Sequence, residues 1–218
     1  LISAASFVIG LLFTIKLPNP EQIKEITPGT TKKVILKNKF LFLSLLLRHI
    51  GAAAVWTILP IMIIEKLGGE LYHISIIYVA NTLTAFILMN VMASKIHLSN
   101  VIKFKIGIGF TAFVFVGLSV VTEWWMTMPF MALVGATWAF LFIGGNFHLM
   151  ENNPRSTSTG IFSSTLSIAT VIGPVTAGAI AFTFDYIAVM YFAIAIIICA
   201  FVVSLKIKDE KQNQTVEI

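Results

Sequence analysis

At 218 residues the chain is 57% hydrophobic and only 11% charged, with a mean hydropathy of +0.92. A soluble domain carries roughly 25% charged residues, so a soluble enzyme and a nucleic-acid-binding domain are excluded, and the net charge of +5 is read as a membrane pattern. The single cysteine, Cys199, leaves no intrachain disulfide and no cysteine-based metal site.

The chain opens at Leu1 inside an apolar stretch with no basic n-region, which argues against a signal peptide and leads us to expect a piece of a longer protein. A spanning helix needs about 20 mostly apolar residues. By that measure residues 1–16 read as a truncated span. Residues 17–39 follow as a polar linker with Pro18, Pro20, Pro28, Gly29 and five lysines. Full spans are expected near 40–64, 74–94, 106–122, 128–149, 159–182 and 186–205, and residues 206–218 form a polar tail. Helix is the only workable state. Isolated strands in lipid would leave backbone groups unpaired, and the runs lack the alternation of a barrel strand.

Positive charge sets the orientation. With the 17–39 linker in the cytoplasm, 13 of the 15 basic residues fall on that side, Lys66 alone falls opposite, and Arg48 lies inside a span. The expected location is the plasma membrane, multi-pass, with residues 17–39 and the C-terminus cytoplasmic. Trp124 and Trp125 fall at the outer end of a span, where their rings suit the headgroup layer.

Polar residues within a span are costly unless they face protein or water. The 106–122 and 186–205 spans carry little polarity and read as peripheral. In 40–64, Arg48 lies about 12 Å deep at 1.5 Å per residue, and His49, Ala53 and Trp56 share one face by i, i+4, i+7 spacing. In 74–94, Tyr78, Asn81, Thr82 and Ala85 form a stripe. Trp138 and Asn146 lie in 128–149, and Ser163, Ser167, Thr170 and Pro174 recur along 159–182. We take Arg48, His49, Trp56, Tyr78, Asn81, Thr82, Trp138, Asn146, Ser163 and Ser167 as candidate pathway residues. Hydroxyls that back-bond to their own helix, and an Asn81 that bridges two helices, stay open as structural alternatives. A guanidinium cannot shed its charge, so Arg48 is expected to face a wet cavity or a partner.

In 159–182, Ala169, Gly173 and Ala177 place small residues four apart for close helix contact, while Pro174 removes a backbone hydrogen bond and bends the helix. Arg155, Gly160, Gly173-Pro174 and Gly178, with Leu59-Pro60 and Leu67-Gly68 upstream, resemble the C-terminal half of a major facilitator superfamily transporter. The run Ala169–Gly178 looks like that family's G-x-x-x-G-P-x-x-G-G element, with alanine at two glycine positions. The resemblance covers the whole chain. It implies that residues 1–16 end helix 6, that 17–39 is the central cytoplasmic loop, and that 40–205 holds helices 7 to 12. The fold expected is an all-α polytopic bundle of six helices, a 3+3 inverted repeat forming half of a twelve-helix transporter. Helices 7, 8, 10 and 11 would line the cavity, and 9 and 12 would be peripheral. The loop around Lys95 departs from the family's acidic, glycine-bearing element.

The function expected is secondary transport of a small solute by alternating access, in either direction, with a coupling proton or ion as a further partner. The other partners implied are the N-terminal six-helix half and the lipid bilayer, with no nucleic acid, cofactor or metal. The alternatives are a non-transporting membrane scaffold or a channel-like protein. No set of residues fills the roles of an intramembrane enzyme.

Overall fold

The computed structural model describes residues 29–94, 96 and 98–209; the span expected at 1–16, most of the 17–39 linker, Lys95 and the distal tail lie outside the described residues. From Thr31 onward the chain forms one compact unit.

The described secondary structure is helical throughout. A short helix α1, Thr30–Lys37, comes first. It lies within the stretch expected as a polar linker, and Val34 is its buried residue. Asn38 interrupts it, donating its Nδ2 to the Val34 carbonyl at 3.0 Å. Six long helices follow: α2, Lys39–Glu65; α3, Leu71–Ser94; α4, Asn100–Ser119; α5, Thr127–Asn152; α6, Arg155–Thr183; and α7, Tyr186–Ser204. All six are long and apolar enough to cross a membrane, which makes this a multi-pass membrane protein.

The helix ends follow local chemistry. Ser99 caps α4 by accepting the Ile102 N–H at 3.3 Å, and Asp185 caps α7 by accepting the Ala188 N–H at 2.7 Å. The cap at Ser99 starts α4 six residues before the span expected at 106–122. The two lysines in that first stretch are accommodated: Lys105 reaches out to donate its Nζ to the Ile207 carbonyl at 2.9 Å.

Apart from the consecutive pair α4 and α5, the main packing partners are distant in sequence. Helix α2 packs on α6 and α7, α5 packs on α3 and α4, and α4 also packs on α7. Consecutive helices α2 and α3 barely touch. Close approach uses glycine where backbones meet. A Cβ on Gly173 of α6 would lie 2.6 Å from Ala53 Cβ and 2.8 Å from the Ile50 carbonyl oxygen of α2. A Cβ on Gly135 of α5 would strike the Asn81 carbonyl of α3, and Gly107 and Gly144 serve the α4–α5 contact alike. Helices α3 and α6 stand at the edges of the bundle and bury the smallest share of their apolar windows. Helix α2 is the central post, with Leu45, Leu59 and Ile63 fully enclosed.

The end of the bundle opposite the lysines is stapled by polar contacts. Tyr186 donates its hydroxyl to Glu65 at 2.9 Å, and the Trp124 N–H donates to the Leu67 carbonyl at 3.0 Å. Trp124 is half-buried at this end. Its ring stacks on buried His73 with centroids 3.7 Å apart, while Trp125 is the exposed member of the pair.

Candidate functional site

A cavity of about 220 Å³ opens between α2, α3 and α5, lined by Arg48, His49, Trp56, Tyr78, Asn81, Val134 and Trp138. Six of these seven residues are expected from the sequence, and three separate helices supply them. Two larger hollows lie at the lysine-rich end, one beside Phe147 and Arg155 and one among Lys37, His148 and Lys206. Neither reaches the middle of a span, so the cavity around Arg48 is the one that bears on transmembrane chemistry.

Arg48 is 2% exposed. Its Nε and Nη2 donate to Thr111 Oγ1 of α4 at 3.4 and 3.2 Å, and Thr111 donates its own proton to the Gly107 carbonyl at 2.6 Å. The face of Trp138 lies 5.5 Å from the guanidinium carbon, within cation–π range. No carboxylate among the described residues pairs with Arg48. His49 sits against the same indole, with ring centroids 5.6 Å apart, and its buried Nδ1 has no hydrogen-bond partner. Trp138 therefore touches both side chains. It is held in turn by an aromatic series through Phe142 to Phe162 of α6.

The opposite wall depends on a proline. Pro60 has no N–H, so the Trp56 carbonyl four residues earlier loses its helical donor. Tyr78 of α3 donates its hydroxyl to that carbonyl at 3.3 Å, and its ring lies 5.5 Å from Trp56. One backbone vacancy thereby ties α3 to α2 at the cavity wall, where the helices otherwise hardly meet. Asn81 is a bridge as well as a lining residue: its Nδ2 donates to the Met131 carbonyl of α5 at 3.1 Å. Glycine at 135 lets the two backbones come near enough for this bond.

The other candidate residues are not at the cavity. Thr82 is exposed and donates to the Tyr78 carbonyl at 3.0 Å within its own helix, because one residue past Asn81 turns the side chain about 100° away. Asn146 is buried but donates to the Phe142 carbonyl at 3.1 Å, also within its helix. Ser163 and Ser167 lie on the exposed side of α6. Ala169, Gly173 and Ala177 are buried, and Gly173 meets α2, but Gly178 has open space around it and takes no part in that packing. Ala53 meets α6 at the Gly173 contact and does not line the cavity. Arg155 and Gly160 are exposed near the start of α6, and Lys95 lies outside the described residues.

Thr111 and Val134 are site residues that sequence reasoning missed. A threonine four residues after Gly107 in an otherwise apolar span carries no mark that separates it from ordinary back-bonding hydroxyls. Among the described residues no group of three His, Cys, Asp or Glu side chains could hold a metal ion. No family model matches the chain, and no curated protein matches it.

Proposed function

We propose that this chain is the C-terminal six-helix half of a secondary transporter of the major facilitator kind, moving a small solute by alternating access across the plasma membrane with its lysine-rich end in the cytoplasm. The observation that carries the reading is a half-open cavity at mid-span, walled by α2, α3 and α5, into which the buried charged side chain of Arg48 faces. A charge is expensive at that depth, and such residues mark solute or ion pathways.

The helix pairing supports the fold assignment. Exchange α2 with α5, α3 with α6 and α4 with α7, and the principal contacts exchange with one another: α2–α6 with α3–α5, and α2–α7 with α4–α5. The α4–α7 contact maps onto itself. That is the permutation expected of two three-helix repeats related by a pseudo-two-fold axis. The exposed sides of α4 and α7 are apolar, with Ile102, Phe113, Tyr191 and Val202 outermost, as suits lipid contact. The exposed side of α6 is mixed, with Ser163, Ser167 and Thr170 set among Ile168, Val171 and Val175.

The test is solute counterflow by the full-length protein in vesicles, together with spin-label distances across α3 and α6 at both membrane faces. Alternating access requires two reciprocal sets of distances, one closing as the other opens, and Arg48→Ala should abolish or redirect flux while the protein still inserts. A single distance set with no flux of any solute defeats the proposal.

A further inference from the structure

We infer that the cavity binds the carboxylate of an organic anion, with Arg48 as the anion receptor and Trp56, Tyr78 and Trp138 against the body of the molecule. The inference rests on the transport reading above and names its substrate class.

The argument is one of unmet charge. A guanidinium has five N–H donors and stays protonated. Here two of its nitrogens share one neutral oxygen, that of Thr111, and the remaining Nη1 has no partner among the described residues. Thr111 commits its proton to Gly107, so it accepts from Arg48 as a dipole and brings no negative charge. Trp138 offers a π-face, again without net charge. The carboxylates of the described residues all lie at or beyond helix ends: Glu65, Glu70, Glu123, Glu151, Asp185 and Asp209. A buried charge without a counter-charge is strongly unfavourable, and the same site becomes favourable once an anion supplies the pair and the missing acceptors.

His49 strengthens the case. Its Nδ1 is buried without a partner, beside the same indole and in the same cavity, so a second polar atom also awaits a ligand. Asn81 and Tyr78 add neutral hydrogen-bonding groups on the far wall. The planar, forked geometry of guanidinium matches a carboxylate. Only one permanent cation lines the cavity, which fits a single negative charge better than a phosphate dianion. Trp56, Tyr78, Val134 and Trp138 make most of the remaining lining aromatic or aliphatic, so the group attached to the carboxylate is largely apolar, with aromatic bodies best accommodated.

The test measures equilibrium binding to the purified full-length protein using matched acids and amides, indole-3-acetate against indole-3-acetamide and phenylacetate against phenylacetamide. At least one acid should bind tenfold or more tightly than its amide. Arg48→Gln should erase the preference, weakening the acid by roughly thirtyfold or more, the usual loss when one partner of a buried charge pair is removed. Thr111→Val is the second variant, for use should Arg48→Gln not assemble. It frees Nε and Nη2, and should tighten acid over amide. Equal binding of acid and amide in every pair overturns the inference, as does a preference that survives Arg48→Gln or a ratio unmoved by Thr111→Val. A carboxylate side chain elsewhere in the full-length protein could present the same chemistry. If neutralising one such residue rescues the stability of Arg48→Gln, the counter-charge is internal and the inference falls. Counterflow of neutral or cationic solutes only leaves the transport reading standing without this one. Arg48-dependent acid binding with no counterflow of any solute does the reverse.

Discussion

Removing the Tyr78 hydroxyl tests whether Pro60 and Tyr78 act as one device. In the native protein Pro60 deprives the Trp56 carbonyl of its i+4 donor, and Tyr78 replaces that donor from α3 at 3.3 Å. The bond is longer than the ~2.8 Å typical of hydroxyl donors. Interhelical hydrogen bonds within membranes average about 0.6 kcal/mol. Tyr78→Phe should therefore destabilise the protein by about 0.5–1 kcal/mol, chiefly by stranding the carbonyl. In a Pro60→Ala background the alanine N–H is available to Trp56, so the hydroxyl becomes redundant and Tyr78→Phe should cost close to nothing. The double-mutant cycle then yields a coupling energy of about 0.5–1 kcal/mol between residues on different helices. Equilibrium unfolding in mixed micelles, followed by tryptophan fluorescence, reads the four stabilities, and Trp56 reports from the site itself. A Tyr78→Phe cost that is the same with proline or alanine at position 60 would show that the hydroxyl does not serve the vacancy.

Other outcomes follow from the packing and from the transport proposal. Gly173→Ala should destabilise the bundle by about 1–3 kcal/mol through overpacking against Ala53 and Ile50, whereas Gly178→Ala, with nothing within 4 Å, should be neutral or stabilise α6 by up to about 1 kcal/mol; equal effects in the same unfolding assay would refute the contact argument. Pro174→Ala should slow the exchange between inward and outward spin-label distances more than it weakens solute binding, because Pro174 shapes α6 and lines no part of the cavity; a large affinity loss at normal exchange rates speaks against this. None of the six described spans holds a carboxylate in its interior, so if transport is proton-driven the essential carboxylate should lie outside residues 1–218, with His49 an accessory at most. Vesicle uptake that is uncoupled only by substitutions within these residues would contradict that placement.

How much of the cavity can be read from sequence depends on what each residue type costs in lipid. Arg48, His49, Trp56, Tyr78, Asn81 and Trp138 are legible because large polar or amphipathic groups in a span must turn inward, and helical spacing says which ones turn together. Thr82, Asn146, Ser163 and Ser167 are not separable by the same logic. A small polar side chain can satisfy itself on the carbonyl a turn back, as Thr82 and Asn146 do, and then lies as comfortably on an outer face as on an inner one. The span boundaries show a related effect. Hydropathy alone discards Lys103 and Lys105, yet a lysine's apolar stem lets the helix begin six residues earlier. The six-helix count is legible from apolar length, but the pairing of α2 with α6 and α7 is not, since it depends on which backbones can approach, and glycine positions reveal that only once the partner is known.

The two interior prolines show why the cavity forms where it does. Each removes one helical donor, from the Trp56 carbonyl in α2 and from the Thr170 carbonyl in α6. In α2, the enclosed post of the bundle, the loss occurs against α3, and a tyrosine can answer it; the hydroxyl that does so also fixes the cavity's far wall. In α6, an edge helix, Thr170 is exposed, and no side chain among the described residues donates to its carbonyl. Thr170 turns its own hydroxyl to the Ser167 carbonyl at 2.7 Å instead. A bend braced by a cross-helix bond holds a fixed geometry, and a bend without one leaves the helix freer to change its angle. On the transport proposal, that difference assigns the binding residues to the braced helices and the movement to α6, which touches the fixed post through Gly173 and contributes nothing to the cavity lining.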